Sequence, residues 1–279
     1  MASSVVLISG CSSGFGLLSA VHLAVLGHRV FATLRNLDKQ ENLQAALAEK
    51  QVSADILQLD VTDDHSIQGA VAHLQEQVGY LDVLINNAGF ALGGAFEDVS
   101  EAQIRTQMET NFFGVLKLTR ACLPLLRKSA AGKIINISSF AGVSGIPGIS
   151  LYSASKFALE GFSEALSYEL ASFGISVSLI EPGSYPTLVQ SNRLMAENFD
   201  NPESPYYEQS QTMLKANDQR VGRRQSDPQE VINVIAEVVH TAKPRLRYLV
   251  GRDAKVGAFL RRMLPFRLYS RILRRALLR

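Results

Sequence analysis

A tyrosine and a lysine stand four positions apart, at Tyr152 and Lys156, in a segment with a helical pattern. Residues at this spacing share one face of a helix. An ammonium group beside a phenol favours the phenolate and lowers the tyrosine pKa from its ordinary value of about 10. The pair can therefore serve as a general acid and base, a role worth roughly 10²- to 10⁴-fold in rate. The spacing alone is also typical of a surface pair.

Other predicted elements carry hydroxyl and amide side chains that could act together with Tyr152 and Lys156. Ser138 and Ser139 close the fifth predicted strand, and open parallel sheets bind ligands beyond the carboxyl ends of their strands. A hydroxyl there can hold a substrate oxygen. Asn111 lies inside a long predicted helix, where asparagine is unfavourable. It is predicted to serve a backbone or water network, with a solvated surface residue as the alternative.

A glycine-rich loop, Ser9-Gly10-Cys11-Ser12-Ser13-Gly14-Phe15-Gly16, joins the first predicted strand to the first predicted helix. Gly10 permits a tight turn, Gly14 lets a pyrophosphate approach the backbone, and Gly16 lets the helix pack close to the strand. The amides and dipole of the helix N-terminus favour an anion. An ordinary glycine-rich turn is the alternative, but the position between strand and helix favours a dinucleotide-binding loop.

The end of the second predicted strand indicates which dinucleotide suits this loop. NAD-binding sites usually carry an acidic residue about twenty positions beyond the loop, where it holds the ribose hydroxyls. This chain has Leu34 and Arg35 there. The Arg35 guanidinium can form a charge-assisted fork to a 2′-phosphate, which predicts a preference for NADP(H). A solvated arginine is the alternative, because the loop carries Ser13 and no second basic residue.

Short apolar runs alternate with helical patterns along the chain, which predicts βαβ units and a parallel sheet. The predicted strands are residues 5–8, 29–34, 55–59, 82–85, 133–137, 175–180 and 246–250. The predicted helices are residues 14–26, 39–49, 63–78, 101–127, 150–173 and 227–240, with a helical end from residue 254. The carboxyl ends of these strands bring the polar residues described above to one edge of the sheet.

The composition favours one globular domain with a basic tail. The chain has 47% hydrophobic and 19% charged residues and a net charge of +2. Residues 220–279 contain 15 basic and 4 acidic residues, so residues 1–219 carry −9. Nucleic-acid binding by the core is therefore not predicted. We expect a catalytic domain over residues 1–253, with a substrate lid at about 184–226, and a C-terminal extension over 254–279.

The cysteines and the N-terminus bear on location. Cys11 and Cys122 form no CxxC pair, and no Cys/His cluster has zinc spacing, so no metal site is predicted. This usage suits a reducing compartment. The chain shows no signal-peptide pattern and no run of about 18 apolar residues. A cytoplasmic protein without a spanning helix is expected, possible membrane contact aside.

The extension has the pattern of a basic amphipathic helix that Pro265 should kink or split. Apolar residues recur at helical spacing at Val256, Phe259, Leu260, Met263, Leu264, Leu268, Ile272, Leu273, Ala276 and Leu277. The other faces hold Arg261, Arg262, Arg267, Arg271, Arg274, Arg275 and Arg279. Such a helix can lie in a membrane interface, which is one prediction. The alternative is that the apolar stripe covers the lid or a dimer partner.

Taken in order, the motifs resemble those of the short-chain dehydrogenase/reductase family over about residues 3–190. The matching positions are Ser9-Gly10-x3-Gly14-x-Gly16, Asp60, Asn86-Asn87-Ala88-Gly89, Asn111, Ser139, Tyr152-x3-Lys156 and Pro182-Gly183-x3-Thr187. Ser9 replaces the usual threonine and keeps the hydroxyl. The resemblance implies an α/β fold with a Rossmann-type, doubly wound parallel sheet of strand order 3-2-1-4-5-6-7 and helices on both faces.

The resemblance also implies a catalytic tetrad of Asn111, Ser139, Tyr152 and Lys156. Ser139 is preferred to Ser138 because it lies thirteen residues before Tyr152, as in close relatives. Tyr152 would transfer a proton, Ser139 would polarise a carbonyl, and Asn111 would place a water. Lys156 would tune the tyrosine and hold the nicotinamide ribose.

The predicted NADP(H) site combines the loop with positions implied by the resemblance. Asp60 and Val61 would flank the adenine, and Thr187 would meet the carboxamide. Its full set is Ser9, Gly10, Ser12, Ser13, Gly14, Phe15, Gly16, Arg35, Asp60, Val61, Asn87, Ala88, Gly89, Tyr152, Lys156, Pro182, Gly183 and Thr187.

Three further segments are similar to the subgroup that contains 17β-hydroxysteroid and photoreceptor-type retinol dehydrogenases. They are Phe157-Ala158-Leu159-Glu160-Gly161-Phe162, Ala32-Thr33-Leu34-Arg35 and Lys243-Pro244-x-Leu246-Arg247-Tyr248. The similarity implies a small lipophilic substrate, such as a steroid, a retinoid or a long-chain alcohol or ketone. Lid residues available as an apolar lining for the substrate are Leu188, Leu194, Met195, Phe199, Tyr206, Tyr207, Met213 and Leu214. The alternative is that these residues only pack the lid onto the core.

Three activities fit these observations. The leading one is NADP(H)-dependent interconversion of a lipophilic alcohol and its carbonyl compound. The second is reduction of a 3-oxoacyl thioester, for which the basic tail would offer an acyl-carrier surface. The third is a non-catalytic NADP(H)-binding protein, which the complete tetrad disfavours. The predicted helices at residues 101–127 and 150–173 resemble the family's dimer interface, so a homodimer or homotetramer is expected.

Overall fold

A computed structural model describes residues 3–185, 194–223 and 226–277, with side chains omitted at 216–223 and 276–277. Seven parallel strands form the central sheet in the order β3-β2-β1-β4-β6-β7-β9. Their bounds are β1 Val5–Ile8, β2 Arg29–Leu34, β3 Asp55–Gln58, β4 Val83–Asn86, β6 Lys133–Ile137, β7 Ser176–Pro182 and β9 Arg247–Val250. The order is the predicted one once two short strands, β5 Leu92–Gly93 and β8 Leu194–Met195, are left aside.

Helices cover both faces of this sheet. Their bounds are α1 Gly14–Val25, α2 Glu41–Glu49, α3 Asp64–Gln77, α4 Glu101–Met108, α5 Gly114–Leu126, α6 Ser150–Glu169, α7 Tyr207–Arg223, α8 Gln229–His240, α9 Arg252–Met263 and α10 Phe266–Leu277. Val6 and Ile8 of β1 pack in one buried cluster with residues of α1 and α8, and Val5 and Leu7 pack in another with α3 and α5. Burial on both faces explains why β1 reads as a continuous apolar run.

The predicted helix over residues 101–127 is interrupted. It consists of α4, a π-helical turn at Glu109–Phe113, and α5. Asn111 lies within the turn, and its buried side chain bonds to the backbone of Phe90. Insertion of a residue into a helix as a π-turn is frequent at functional sites. The predicted helix over 150–173 likewise ends early, at Glu169, and continues as a 3₁₀ turn at Ala171–Phe173.

The lid contains an element that the sequence pattern did not predict. Helix α7 lies in the lid, where no helix was predicted, and only Ser210 among its described side chains is buried. The described part of this helix, residues 207–215, buries too few side chains to form a wide apolar stripe, so periodicity does not reveal it. Pro265 does split the C-terminal helical pattern, into α9 and α10. Among the described residues, no helix combines the length and apolar character needed to span a bilayer.

Candidate active site

A cavity of about 660 Å³ lies beyond the carboxyl ends of β4, β6 and β7. Its volume is within the usual range of small-molecule sites, roughly 300–1,000 Å³. The predicted site residues that line it are Phe15, Asn87, Gly89, Ser139, Tyr152, Lys156, Pro182 and Gly183. The fold therefore brings residues from distant parts of the sequence to one edge of the sheet, where open α/β folds bind ligands.

Tyr152 lies in the first turn of α6 and meets Ser139, which follows β6. Both side chains line the cavity, and the Ser139 hydroxyl accepts from the Ala141 amide at 3.1 Å. Burial raises the Tyr152 pKa above its ordinary value, and the bond to Ser139 offsets part of this rise. Two hydroxyls thus share one wall of the cavity, as a carbonyl oxygen would require.

Lys156 lies one helical turn further along α6, with its Nζ 5.6 Å from the centroid of the Tyr152 ring. The Nζ donates to the carbonyl oxygen of Ile137 at 2.7 Å. Burial lowers the Lys156 pKa to about 8, against the opposing negative charge of Glu160. The spacing argument predicted that the lysine lowers the tyrosine pKa. In the structure burial instead raises the Tyr152 pKa, because burial disfavours the charged phenolate.

Asn111 is fully buried beside the loop that follows β4. Its Oδ1 accepts from the Phe90 amide at 3.0 Å, and its Nδ2 donates to the Phe90 carbonyl at 2.9 Å. The Nδ2 also lies 3.3 Å from the hydroxyl of Ser155 on α6. These contacts exclude a solvated surface asparagine. They show that Asn111 ties the loop that lines the cavity to the helix that carries Tyr152.

The glycine loop adopts the backbone that its sequence predicted. Gly10 has φ +75° and Gly14 has φ +58°, values that favour glycine. Ser13 is the N-cap of α1, and its side chain makes no capping hydrogen bond. The first-turn amides of α1 therefore have no side-chain cap, and half-buried Ser12 and Gly14 flank them. This cradle fits a pyrophosphate group.

Ser9 and Asn87 hold the glycine loop against the end of β4. The Ser9 hydroxyl accepts from the amides of Asn87 and Ala88, both at 3.0 Å. The Asn87 Nδ2 donates to the carbonyls of Ser9 at 2.9 Å and Gly10 at 3.0 Å. Ser9, which stands where threonine is usual, thus uses its hydroxyl to position the glycine loop against the end of β4. Asn87 acts on the loop as well as lining the cavity.

The residues expected near the adenosine end lie at the ends of β2 and β3. Arg35 is exposed, and Leu34 before it is buried. Asp60 accepts through Oδ1 from the amide and hydroxyl of Thr62, at 2.9 and 2.7 Å. Val61 is buried. An exposed guanidinium at this edge fits a 2′-phosphate.

At the other end of the site, Pro182 closes β7 and Gly183 follows it. A Cβ on Gly183 would lie 2.1 Å from Asp253 Oδ1, so a larger residue there would displace this carboxylate. Asp253 was not singled out from the sequence. It accepts from the Ser184 amide at 2.9 Å and ties the start of the lid to α9. Thr187 lies outside the described residues.

Apolar side chains form most of the remaining cavity wall. From the predicted lid set, Met195, Phe199, Met213 and Leu214 line the cavity, whereas Leu194 is 49% exposed and Leu188 lies outside the described residues. Tyr206 lies at a smaller neighbouring pocket. The wall also contains Phe90, Ile146, Pro147, Ile149, Val256 and Leu273, which the sequence did not assign to the site. The site therefore combines a polar end with an extended apolar chamber.

A buried acidic cluster lies behind the polar end. The Ser138 hydroxyl donates to Glu160 at 2.6 Å, and because it is engaged there, Ser139 is favoured over Ser138 as the partner of Tyr152. Arg247 Nε lies 3.1 Å from Glu160 and 3.5 Å from Glu181. Glu164 pairs with the same guanidinium at 2.5 Å. Burial, followed by the charge of Glu160, raises the Glu181 pKa from 4.5 to about 8.

This pKa predicts a stability that depends on pH. The folded chain keeps the Glu181 proton to higher pH than the unfolded chain, so stability falls as pH rises from about 4.5 to about 8. Glu181→Gln mimics the protonated carboxyl. We expect it to melt at a higher temperature than wild type at about pH 9, with a shallower decline from about pH 5. Differential scanning fluorimetry across this range measures both.

Glu164→Gln is the matched control for that experiment, since Glu164 bonds to the same Arg247 but its side chain is 44% exposed. Its melting curve should keep the wild-type dependence on pH. The groups that face Glu181 from neighbouring elements are Glu160 on α6 and Arg247 on β9. Any pH dependence of melting that remains in Glu181→Gln is therefore assigned to that pair. Parallel slopes for Glu181→Gln and wild type would contradict the assignment.

Comparisons with known proteins agree with this geometry. A model described as short chain dehydrogenase matches residues 4–198. The chain is 40% identical to 3-ketodihydrosphingosine reductase of Bacteroides thetaiotaomicron, over 90% of this chain and 89% of that protein. It is 40% identical to human retinol dehydrogenase 8, over 87% and 79% respectively. It is 36% identical to human 17-beta-hydroxysteroid dehydrogenase type 1, over 89% and 77%.

Solved structures are similar to this chain in both sequence and fold, and a ketoreductase is an example. It is a single-residue variant of actinorhodin polyketide ketoreductase with NADPH, at 32% identity and a TM-score of 0.73, covering 88% of this chain and 96% of that one. The similarity extends beyond the residues that the family model matches, into the C-terminal elements.

Proposed function

The chain belongs to the short-chain dehydrogenase family of oxidoreductases, and on that premise we propose that it interconverts a lipophilic alcohol and its ketone or aldehyde with NADP(H). One observation carries the proposal. The side chains of Ser139 and Tyr152 together line one otherwise largely apolar cavity, beside the loop that fits a dinucleotide phosphate. A carbonyl oxygen placed between these hydroxyls would direct its apolar substituents into the chamber.

In the reducing direction, a nicotinamide cofactor supplies the hydride that reaches the carbonyl carbon. Tyr152 gives its phenolic proton to the carbonyl oxygen, and Ser139 donates a hydrogen bond that polarises the carbonyl. Lys156 supplies positive charge that favours the phenolate left on Tyr152, and its bond to Ile137 holds it in place. Asn111 keeps the loop after β4 in register with α6. Oxidation reverses each transfer.

The residues that would hold the cofactor follow from the same site. The amides at Ser12, Ser13 and the first turn of α1 suit the pyrophosphate. Asp60 and Val61 would flank the adenine, and Lys156 would hold the nicotinamide ribose. The proposed contact of Thr187 with the carboxamide rests on the family motif alone.

Arg35 is the residue on which the choice of NADP(H) depends. Arg35→Ala should lower kcat/KM for NADPH by about 10- to 100-fold, because a charge-assisted hydrogen bond is worth roughly 1.5–3 kcal/mol. Its kcat/KM for NADH should change little. Arg29→Ala, on the other end of β2 and paired with Asp55 at 3.3 Å, should leave both values unchanged. A wild-type kcat/KM for NADH that equals or exceeds the value for NADPH would refute the preference.

The substrate class is supported by the apolar wall of the cavity and by the relatives named for retinol, a 17-beta-hydroxysteroid and 3-ketodihydrosphingosine. A 3-oxoacyl thioester remains the second candidate, favoured by the likeness to a polyketide ketoreductase. A panel of retinal, a ketosteroid, a long-chain ketone and an acyl thioester, each with NADPH, tests the assignment. Turnover of the thioester alone would select the second candidate, and no turnover at all would reject both.

A homodimer or homotetramer is part of the proposal. Large apolar side chains are exposed on the outward sides of the π-turn and α6, at Phe113, Phe157 and Tyr168. Large aromatic side chains such as these are enriched at protein interfaces. They lie on the helices where the family motif suggested a dimer contact.

A further inference from the structure

Helices α9 and α10 form a C-terminal hairpin, residues 252–277, that packs on the cavity wall. The Tyr269 hydroxyl bonds to the Ser144 hydroxyl at 2.7 Å, and both residues are buried. Gly257 abuts Phe140 so closely that a Cβ would lie 2.5 Å from its ring. Val256 of α9 and Leu273 of α10 line the cavity itself. One side of the C-terminal hairpin is therefore part of the substrate chamber.

The C-terminal hairpin also leaves large apolar side chains exposed to solvent. Phe259 and Met263 are each 62% exposed and lie four residues apart on α9, hence on one face. The full exposed set is Val256, Phe259, Met263, Phe266, Leu268 and Ile272. Leu273 of the same predicted stripe instead lines the cavity together with Met213 and Leu214 of the lid. Exposed apolar side chains that are clustered in this way typically mark an interaction site.

Positive charge surrounds this apolar surface. The C-terminal hairpin contains Arg252, Lys255, Arg261, Arg262, Arg267, Arg271, Arg274 and Arg275, and its one acidic residue is Asp253. Asp253 bonds to the Ser184 amide, on the protein side. The Arg261 guanidinium lies 5.3 Å from the Phe266 ring centroid, so cation and apolar groups are interleaved. Apolar side chains with adjacent arginines match a bilayer interface that contains anionic lipid.

A second copy of the chain is a less favourable occupant of this surface. A two-fold interface places the same patch of both subunits in contact. The eight cations of one C-terminal hairpin would then face the eight cations of the other. Such like-charge contact is unfavourable. Anionic phospholipid has the complementary charge and can also accept the apolar side chains.

We propose that the C-terminal hairpin docks the protein on a membrane surface containing anionic phospholipid, and that lipophilic substrate passes between the bilayer and the cavity beside Val256 and Leu273. Docking itself stands on the exposed residues and the charge of the C-terminal hairpin. Substrate passage rests on the proposed function. The two parts are measured separately, so failure of one does not obscure the other.

Vesicle flotation of the full chain tests docking. Wild type should float with vesicles of phosphatidylcholine and phosphatidylserine, and less with phosphatidylcholine alone or at high salt. In the double variant Phe259→Ser/Met263→Ser the affinity for these vesicles should fall by about tenfold or more, because two apolar side chains are lost from the interface. Phe173→Ser is the matched control, since Phe173 is 55% exposed on another part of the fold and should leave flotation unchanged.

Turnover of substrate carried in vesicles tests passage. The double variant should lose rate with vesicle-borne retinal or long-chain ketone, yet keep the wild-type rate with a short water-soluble ketone. Docking is overturned if wild type fails to float, or if the double variant floats equally well. Docking is also overturned if analytical ultracentrifugation shows that wild type is an oligomer and the double variant is a monomer, because the exposed residues would then form a subunit interface. Flotation without turnover of any ketone would reject the proposed function and leave docking supported.

Discussion

Tyr152→Phe is expected to lower kcat by roughly 10²- to 10⁴-fold, the usual contribution of a general acid or base, while NADPH still binds. The substitution removes only the phenolic oxygen. The ring remains in the cavity wall, and Lys156 keeps its bond to the Ile137 carbonyl. Ser139 keeps its contact with the Ala141 amide. The variant therefore retains the shape of the site and loses the proton that the carbonyl oxygen needs.

The measurement is kcat at saturating NADPH with a carbonyl substrate, together with the Kd for NADPH from fluorescence titration. Tyr168→Phe is the matched control, because Tyr168 lies on the same helix and is 71% exposed. It should behave as wild type in both assays. Substantial residual turnover by Tyr152→Phe would exclude the tyrosine mechanism. Loss of NADPH binding would show that the phenol acts chiefly in holding the cofactor.

Features that depend on neighbouring residues in the chain could be predicted from the sequence. The apolar run Val5–Ile8 predicted a strand buried on both faces. The glycines of the loop predicted the tight turn that connects β1 to α1. The strand order was less local, because it came from the resemblance of the motifs to a family. The fold, the family and its retinol and hydroxysteroid relatives are confirmed.

Features that arise from tertiary packing could not be predicted. Glu160, Glu181 and Arg247 come from α6, β7 and β9, and no spacing in the sequence relates them. The burial that raises the Tyr152 pKa likewise depends on the surrounding chamber. Asn111 gave a partial signal, since asparagine is unfavourable in a helix. Periodicity could not reveal that the helix is π-helical there, because the turn is stabilised by the distant Phe90 backbone.

Gly16→Ala is expected to weaken NADPH binding by about 100-fold or more and to lower the melting temperature. The added Cβ would lie 2.3 Å from the Gly10 carbonyl oxygen and 2.4 Å from Asn87 Nδ2. Neither atom can yield cheaply, because Asn87 Nδ2 is bonded to the carbonyls of Ser9 and Gly10. Relief requires α1 to move away from the loop, and overpacking of this kind costs roughly 1–3 kcal/mol. The displaced amides would then no longer converge on a phosphate.

Gly69→Ala separates this steric effect from the general effect of adding a methyl group to a helix. Gly69 lies in α3, and a Cβ there would meet no atom within 4 Å. Alanine is favoured over glycine in a helix by roughly 1 kcal/mol, so this variant should be at least as stable as wild type. Its NADPH affinity should be unchanged. The two substitutions are chemically identical and should shift the melting temperature in opposite directions. Wild-type NADPH affinity in Gly16→Ala would mean that the cofactor phosphates bind elsewhere than at the loop between β1 and α1.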